Sequence, residues 1–282
     1  MSINSFYNSL IWRLGRRLYS LSRNDMPLSP FKNGEYWLQS ELINFIPKDY
    51  NYVIFDIGAN IGEWTDSLLK YTYKNDKKGS IHLFEPAFDT YSFLQNKFEN
   101  CPIKLNINNL AVSDQIGTKN FYISGKLSAV NTMHPTESCS IQVVEVVTID
   151  EYISNNNITH IDFIKSDTEG FDCKAIFGAE KALKAGIIDI WQFEYNHRWI
   201  DSKNYLKDVF KFVEDKGYMV GKLCEKNIQI YSEWSPELER FFEANYVIIK
   251  KQNKLAKKVA KFFTYNYSNV LVPDKSRRFW WS

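Results

Sequence analysis

The sequence predicts an α/β protein built on a mainly parallel, doubly wound sheet, with an antiparallel last strand and basic helical extensions at both ends. Three observations predict it. Short β-branched and aromatic runs alternate with helical patterns from Tyr52 to Lys250. A glycine-rich turn follows the first run directly, where a strand hands over to a helix in this architecture. The 282 residues, 44% hydrophobic and 24% charged, suffice for a globular domain with a sizeable core.

The elements follow in order. Residues 52–57 predict the first strand, and a helical pattern over 63–71 sets in after the turn. Residues 80–85 predict the second strand, which stops at Pro86 and gives way to a helical pattern up to residue 99. The third strand is expected over 104–112. Alternating segments 120–124 and 141–147 predict an inserted hairpin or extra edge strands. A buried fourth strand, 161–165, leads into the polar stretch Ser166, Asp167, Thr168, Glu169 and Gly170. A helix to Ala185, a fifth strand over 187–193, a helix over 201–216 and strands at 218–223 and 246–250 complete the pattern.

Charge and cysteine usage exclude several classes. With 35 Lys and Arg against 33 Asp and Glu, the net charge of +2 argues against nucleic acid as partner. Cys101, Cys139, Cys173 and Cys224 are scattered and form no CxxC pair, so neither a disulfide scaffold nor a soft-metal site is expected. Free thiols in a reducing cytosol, hence a cytoplasmic location, follow from that usage. No apolar run approaches the roughly 20 residues a membrane span needs, and arginines interrupt the N-terminal apolar stretch where a signal peptide would lie.

The chemistry gathers at strand ends. Asp56, Gly58, Asn60 and Gly62 are spaced D-x-G-x-N-x-G between a strand and a helix. Glycines let the backbone turn tightly and approach a ligand without a Cβ in the way. Asn60 stands where a dinucleotide fingerprint needs its second glycine, which disfavours NAD. Asp56 and Asn60 instead offer acceptors to an ammonium group. Glu85 ends the second strand, where an acid accepts hydrogen bonds from ribose hydroxyls. After the fourth strand, Glu169 suits a helix cap, whereas Asp167 emerges straight from the strand into the site.

The D-x-G-x-N-x-G turn resembles motif I of S-adenosylmethionine-dependent methyltransferases, and the ordered set resembles the FkbM family of those enzymes. The matching stretches are 55–62, Leu83-Phe84-Glu85-Pro86, 109–114 with Ala111, 147–150, 161–170 and 192–196. Ser166, Asp167 and Thr168 stand where the family more often has an apolar residue before Glu-Gly. The resemblance implies a Rossmann-like class I methyltransferase fold and S-adenosylmethionine as donor. Asp56, Gly58, Asn60, Gly62, Glu85, Ala111 and Asp167 would then bind the cofactor. It also implies a hydroxyl acceptor, on a sugar, glycan or natural product.

A sugar hydroxyl is a poor nucleophile at neutral pH, so a base or metal is expected. Asp167 or Glu194 is the expected base, with His134, Asn196 and His197 placing the acceptor. No metal is assigned, although Asp167, Glu194 and Asn196 could form an oxygen site for a hard cation that assists methylation of a small molecule. A non-catalytic module on the same fold is the further alternative.

Residues 1–40 and 251–282 read as basic extensions flanking a methyltransferase domain at 41–250. In the first, Phe6, Tyr7, Leu10, Ile11, Leu14, Leu18 and Leu21 share one side of a helical wheel, and Arg13, Arg16, Arg17 and Arg23 the other. In the second, Leu255, Val259, Phe262 and Phe263 oppose lysines, and the chain runs out through Arg277, Arg278, Phe279, Trp280 and Trp281. Such faces suit an anionic membrane surface, which would make the protein peripheral on the inner face of a membrane. Packing on the core or a homo-oligomer interface would use them equally well.

Overall fold

The structure, a computed structural model, describes residues 3–23, 25, 29–125, 131–133 and 139–277. The chain runs α1 (Ile3–Ser22), α2 (Glu35–Phe45), β1 (Asn51–Ile57), α3 (Glu63–Lys74), β2 (Lys78–Phe84), α4 (Phe88–Lys97), β3 (Lys104–Asn108), β4 (Ala111–Val112), β5 (Gly117–Ile123) and β6 (Ser140–Val147). It continues through α5 (Ile149–Asn155), β7 (Ile161–Ser166), α6 (Asp172–Phe177), α7 (Glu180–Lys184), β8 (Ile188–Tyr195), α8 (Leu206–Val213), β9 (Tyr218–Cys224) and β10 (Asn227–Tyr231). Then come β11 (Ala244–Lys250), α9 (Lys254–Val259), β12 (Ala260–Tyr265) and β13 (Leu271–Pro273).

The main sheet has the order β13-β12-β10-β9-β11-β8-β7-β1-β2-β3. Strands β3, β2, β1, β7 and β8 are parallel, and β11 is antiparallel to both of its neighbours, β8 and β9. The order reverses between β1 and β7. In an open α/β sheet that reversal parts the loops at the carboxyl ends of the strands and opens a crevice there.

Alternation along β1 builds both faces. Phe55 and Ile57 point to a core with β8, α6 and α8, while Tyr52 and Ile54 point to a core with α2, α3 and α9. A central parallel strand is covered on both sides, and β7 is buried at all six positions, Asp162, Lys165 and Ser166 included.

The structure departs from the sequence reading in several places. Residues 104–112 break at Asn109: β3 extends the main sheet, whereas β4 pairs with β6 in a separate sheet of order β4-β6-β5. The side chain of Asn109 donates to the carbonyls of Glu85 and Pro86 and pins the corner. The helix expected over 201–216 is confined to α8, because Asn196 and Tyr205 each start a new turn. The helical wheel drawn through Leu255 and Phe263 holds only to Val259. Beyond it the chain becomes β12, which pairs parallel with β10, while Leu255 and Val259 are buried in the core. The C-terminal segment through Pro273 is therefore an edge of the main sheet. At the other end, α2 straddles the boundary drawn at residue 40 and buries Leu38, Leu42 and Ile43. Among the described residues no helix is long and apolar enough to cross a membrane.

Candidate active site

The loop after β1 is shaped by close backbone approach. Gly58 has φ +75°, and a Cβ there would meet the carbonyl oxygen of Asp167 at 2.0 Å. Its N–H and that of Ala59 donate to the Phe84 carbonyl, at 3.0 and 3.1 Å. Asn60 also adopts a left-handed φ of +46°, which asparagine tolerates better than most residues. Gly62 starts α3 at φ +77°, where a side chain would collide with Leu94 and Phe98.

Glu85 ties this loop to the end of β2. Its Oε2 accepts from the Asn60 N–H and its Oε1 from the Ala87 N–H, both at 2.9 Å. A carboxylate has about four acceptor positions, so one on each oxygen is left for a ligand's hydroxyls. Burial pushes its pKa up to about 7, against the two amide hydrogen bonds that favour the charge. The side-chain oxygen of Asn60 is buried without a partner among the described residues. A donor aimed from the cleft would satisfy it, as the ammonium group of an amino acid can.

Asp56 lies beneath the loop, fully buried. Its Oδ2 accepts from Thr65 Oγ1 at 2.7 Å, and its Oδ1 lies 3.8 Å from Lys165 Nζ. The β1–β7 register pairs Asp56 with Lys165, which brings the two charges together. Lys165 Nζ also lies 3.5 Å from Asp167 Oδ2. Burial works against the lysine's charge, but the carboxylates of Asp167, Asp56 and Glu35 outweigh it and raise its pKa. Asp56 thus orients Thr65 and Lys165 from below and lines neither of the cavities described next.

Two cavities open at the carboxyl ends of the strands. The smaller, 140 Å³, is walled by Phe84, Glu85, Pro86, Leu110, Ala111, Phe121 and Met133, which suits a flat apolar ring with a polyol at one end. The larger, 720 Å³, carries Glu35, Asp167, Glu194, Glu243 and Asn245 among its polar lining, with Tyr36 and Trp64 as aromatic surfaces. Gly58, Asn60 and Asp167 line both.

Glu194, at the end of β8, accepts from Asn196 Nδ2 at 2.7 Å. Burial, followed by the carboxylates of Asp167, Asp172 and Glu169, raises its pKa well above the ordinary range. Asn196 is buried and lines neither cavity. Its Oδ1 accepts from the Arg198 N–H at 2.9 Å, capping the short helical turn at 197–200. With its amide so engaged, Asn196 positions Glu194 from outside the cavity that Asp167 and Glu194 line. His197 is exposed and lines neither cavity. His134 lies outside the described residues. Glu169, paired with Arg198, joins the wall of the smaller cavity.

Sequence reasoning missed Lys165, Glu35 and Asn245. A lysine inside an apolar strand was a visible signal for Lys165. Nothing local marked the other two, because Glu35 reaches the site from α2 and Asn245 from β11. Asn245 sits opposite Glu194 in the antiparallel register and donates to Glu35 Oε1 at 2.9 Å. Asn33 donates to the same oxygen. Burial raises the pKa of Glu35, with Lys165 opposing.

A family model described as the methyltransferase FkbM domain matches residues 56–220, more than half of the chain. The chain belongs to the FkbM methyltransferase family. Its fold is the class I methyltransferase fold, and its cofactor is S-adenosylmethionine, which the Gly58 cradle, the free acceptor positions of Glu85 and the orphan Asn60 oxygen fit.

Among solved structures, the FkbM methyltransferase of Methylobacillus flagellatus KT is 18% identical with a TM-score of 0.44, covering 74% of this chain and 47% of its own. The chain thus spans about half the length of that protein. TrmK of M. capricolum, solved with S-adenosyl-homocysteine, is 13% identical with a TM-score of 0.40, covering 83% of this chain and 79% of its own. The precorrin-6y C5,15-methyltransferase of Geobacter metallireducens GS-15 is 12% identical with a TM-score of 0.36, covering 76% and 88%. No curated protein matches the chain.

Proposed function

We propose that this FkbM methyltransferase methylates a hydroxyl of a sugar, in a cell-surface glycan or glycolipid, by in-line transfer with a carboxylate as base. The observation that carries the reading is the shared wall of the two cavities at Gly58, Asn60 and Asp167. A donor in the smaller cavity and an acceptor in the larger would meet there. Carboxylates and amides in the larger cavity match a polyhydroxyl acceptor, and Tyr36 offers a face for a sugar ring.

When bound, S-adenosylmethionine supplies a methyl group activated by a positively charged sulfur. Glu85 would hold the ribose through its two free acceptor positions. Gly58 and Asn60 would let the backbone lie close to the methionine part. Lys165 balances the carboxylates and fixes Asp167, its ammonium 3.5 Å from Oδ2. Asp167, at the junction, takes the acceptor's proton. Glu194, whose surroundings raise its proton affinity, is the second base candidate. The metal-assisted alternative needs Asn196 beside Asp167, whereas Asn196 is buried and lines neither cavity. The reading also puts the protein in the cytoplasm.

Labelled methyl donor, screened against nucleotide sugars, polysaccharide fragments and glycolipids, tests it. Asp167→Asn is expected to lower transfer about 100-fold or more while calorimetric donor binding persists. Unchanged transfer in both Asp167→Asn and Glu194→Gln, or transfer only to acceptors without a sugar, would contradict it.

A further inference from the structure

Helix α1 docks on the body by one side of its wheel. Ser20 is buried, and Tyr19 packs edge-on against Phe242 and donates to Glu237 at 3.2 Å. The Arg16 guanidinium lies 5.8 Å from the Phe242 ring centre. Arg23, just past the helix, is held by Asp25 and by the Glu237 carbonyl, so it is no part of a solvated basic face. At about 100° per residue these four positions share one sector.

The opposite sector is apolar and turned to solvent, with Leu21 at its end reaching the rim of the larger cavity. Phe6, Leu10, Ile11, Leu14, Leu18 and Leu21 occupy it, each between 53% and 68% exposed. A soluble surface helix turns such a stripe inward; α1 turns it out. The helix holds no acidic residue, and Arg13 and Arg17 stand along one edge of the stripe, exposed and without an acidic partner among the described residues.

We infer that α1 lies in the surface of an anionic bilayer and holds the mouth of the acceptor cavity at headgroup level. Arg13 and Arg17 meet lipid phosphates, while the leucines and Phe6 enter the headgroup–acyl boundary. A second copy is the poorer occupant, because it would bring arginines against arginines. The link to the cavity is direct. Leu21 and Asp25 line its rim, and Lys222 is paired with Asp25 and donates to the Arg23 carbonyl at 3.0 Å. A lipid-carried hydroxyl would arrive at that rim. This last step rests on the methyl-transfer reading above; the membrane contact does not.

Flotation of the full chain tests the inference, with vesicles of phosphatidylcholine alone or mixed equally with phosphatidylglycerol. Expected is flotation with the anionic vesicles at ~0.1 M salt and its loss near ~1 M, where the Debye length shrinks from about 10 to about 3 Å. Reversing either arginine, Arg13→Glu or Arg17→Glu, should weaken binding at least about fivefold. Leu14→Asp with Leu18→Asp should abolish it, with donor titration unchanged as the check on folding. No flotation by the unaltered chain, equal flotation of the leucine variant, or a dimer in light scattering that the leucine variant dissolves would overturn it. Flotation without any methyl transfer would remove the lipid-carried acceptor and leave the membrane contact standing.

Discussion

Glu85 is where residue-level electrostatics decides function. Its pKa of about 7 in the folded chain lies above the ordinary 4.5, so the native state holds the proton over a range where the unfolded chain has lost it. Its contribution to stability is therefore full below pH 4.5 and lost as pH rises through about 7. Ribose hydroxyls need the ionised form as acceptor, so donor affinity should run the other way, rising from pH 6 to 8. Calorimetric titrations across that range check the sign, and Glu85→Gln should bind weakly throughout. Gly58 is decided by space. Gly58→Ala combines a φ of +75° with a 2.0 Å clash on the Asp167 carbonyl, and should cost at least about 2 kcal/mol in urea unfolding and abolish donor binding. These two residues were legible because strand, turn and acid are adjacent in sequence. Asp56 was less so. Its place in the motif suggested contact with the cofactor, whereas the register sets it under the floor against Lys165.

Among elements, β7 and β8 are held at their amino ends by a cluster that the chemistry does not use. His160 Nε2 lies 3.5 Å from both Asp162 and Asp189, whose hydrogen bonds push its pKa up to about 9. A raised histidine pKa gives stability that is full below pH 6.5 and lost as pH rises through 9. The melting temperature should therefore fall over that window, and less so in His160→Ala. The parallel strands β1, β2, β7 and β8 were readable because buried runs end in turn signals. The residues 260–265 were not, since two phenylalanines beside lysines fit a helical wheel as well as an edge strand. Only the pairing of β12 with β10 settles which period wins.

Over the whole molecule, the sequence motifs reach the part of the site on β1, β2, β7 and the end of β8, Glu194 included. The rest is assembled across distance: Glu35 from α2 and Asn245 from β11 join them only in three dimensions. The C-terminal segment belongs to the same body. Leu255→Ala should cost about 3 kcal/mol in chemical denaturation, whereas a loose tail would register almost nothing. The account depends most on the donor seat formed by the Gly58 turn and Glu85. Calorimetric titration of S-adenosylmethionine into the unaltered chain and Glu85→Ala tests it most directly. Micromolar binding, weakened at least about tenfold by the substitution through lost hydrogen bonds, is the predicted result. No binding by the unaltered chain, or equal binding by the variant, would contradict it.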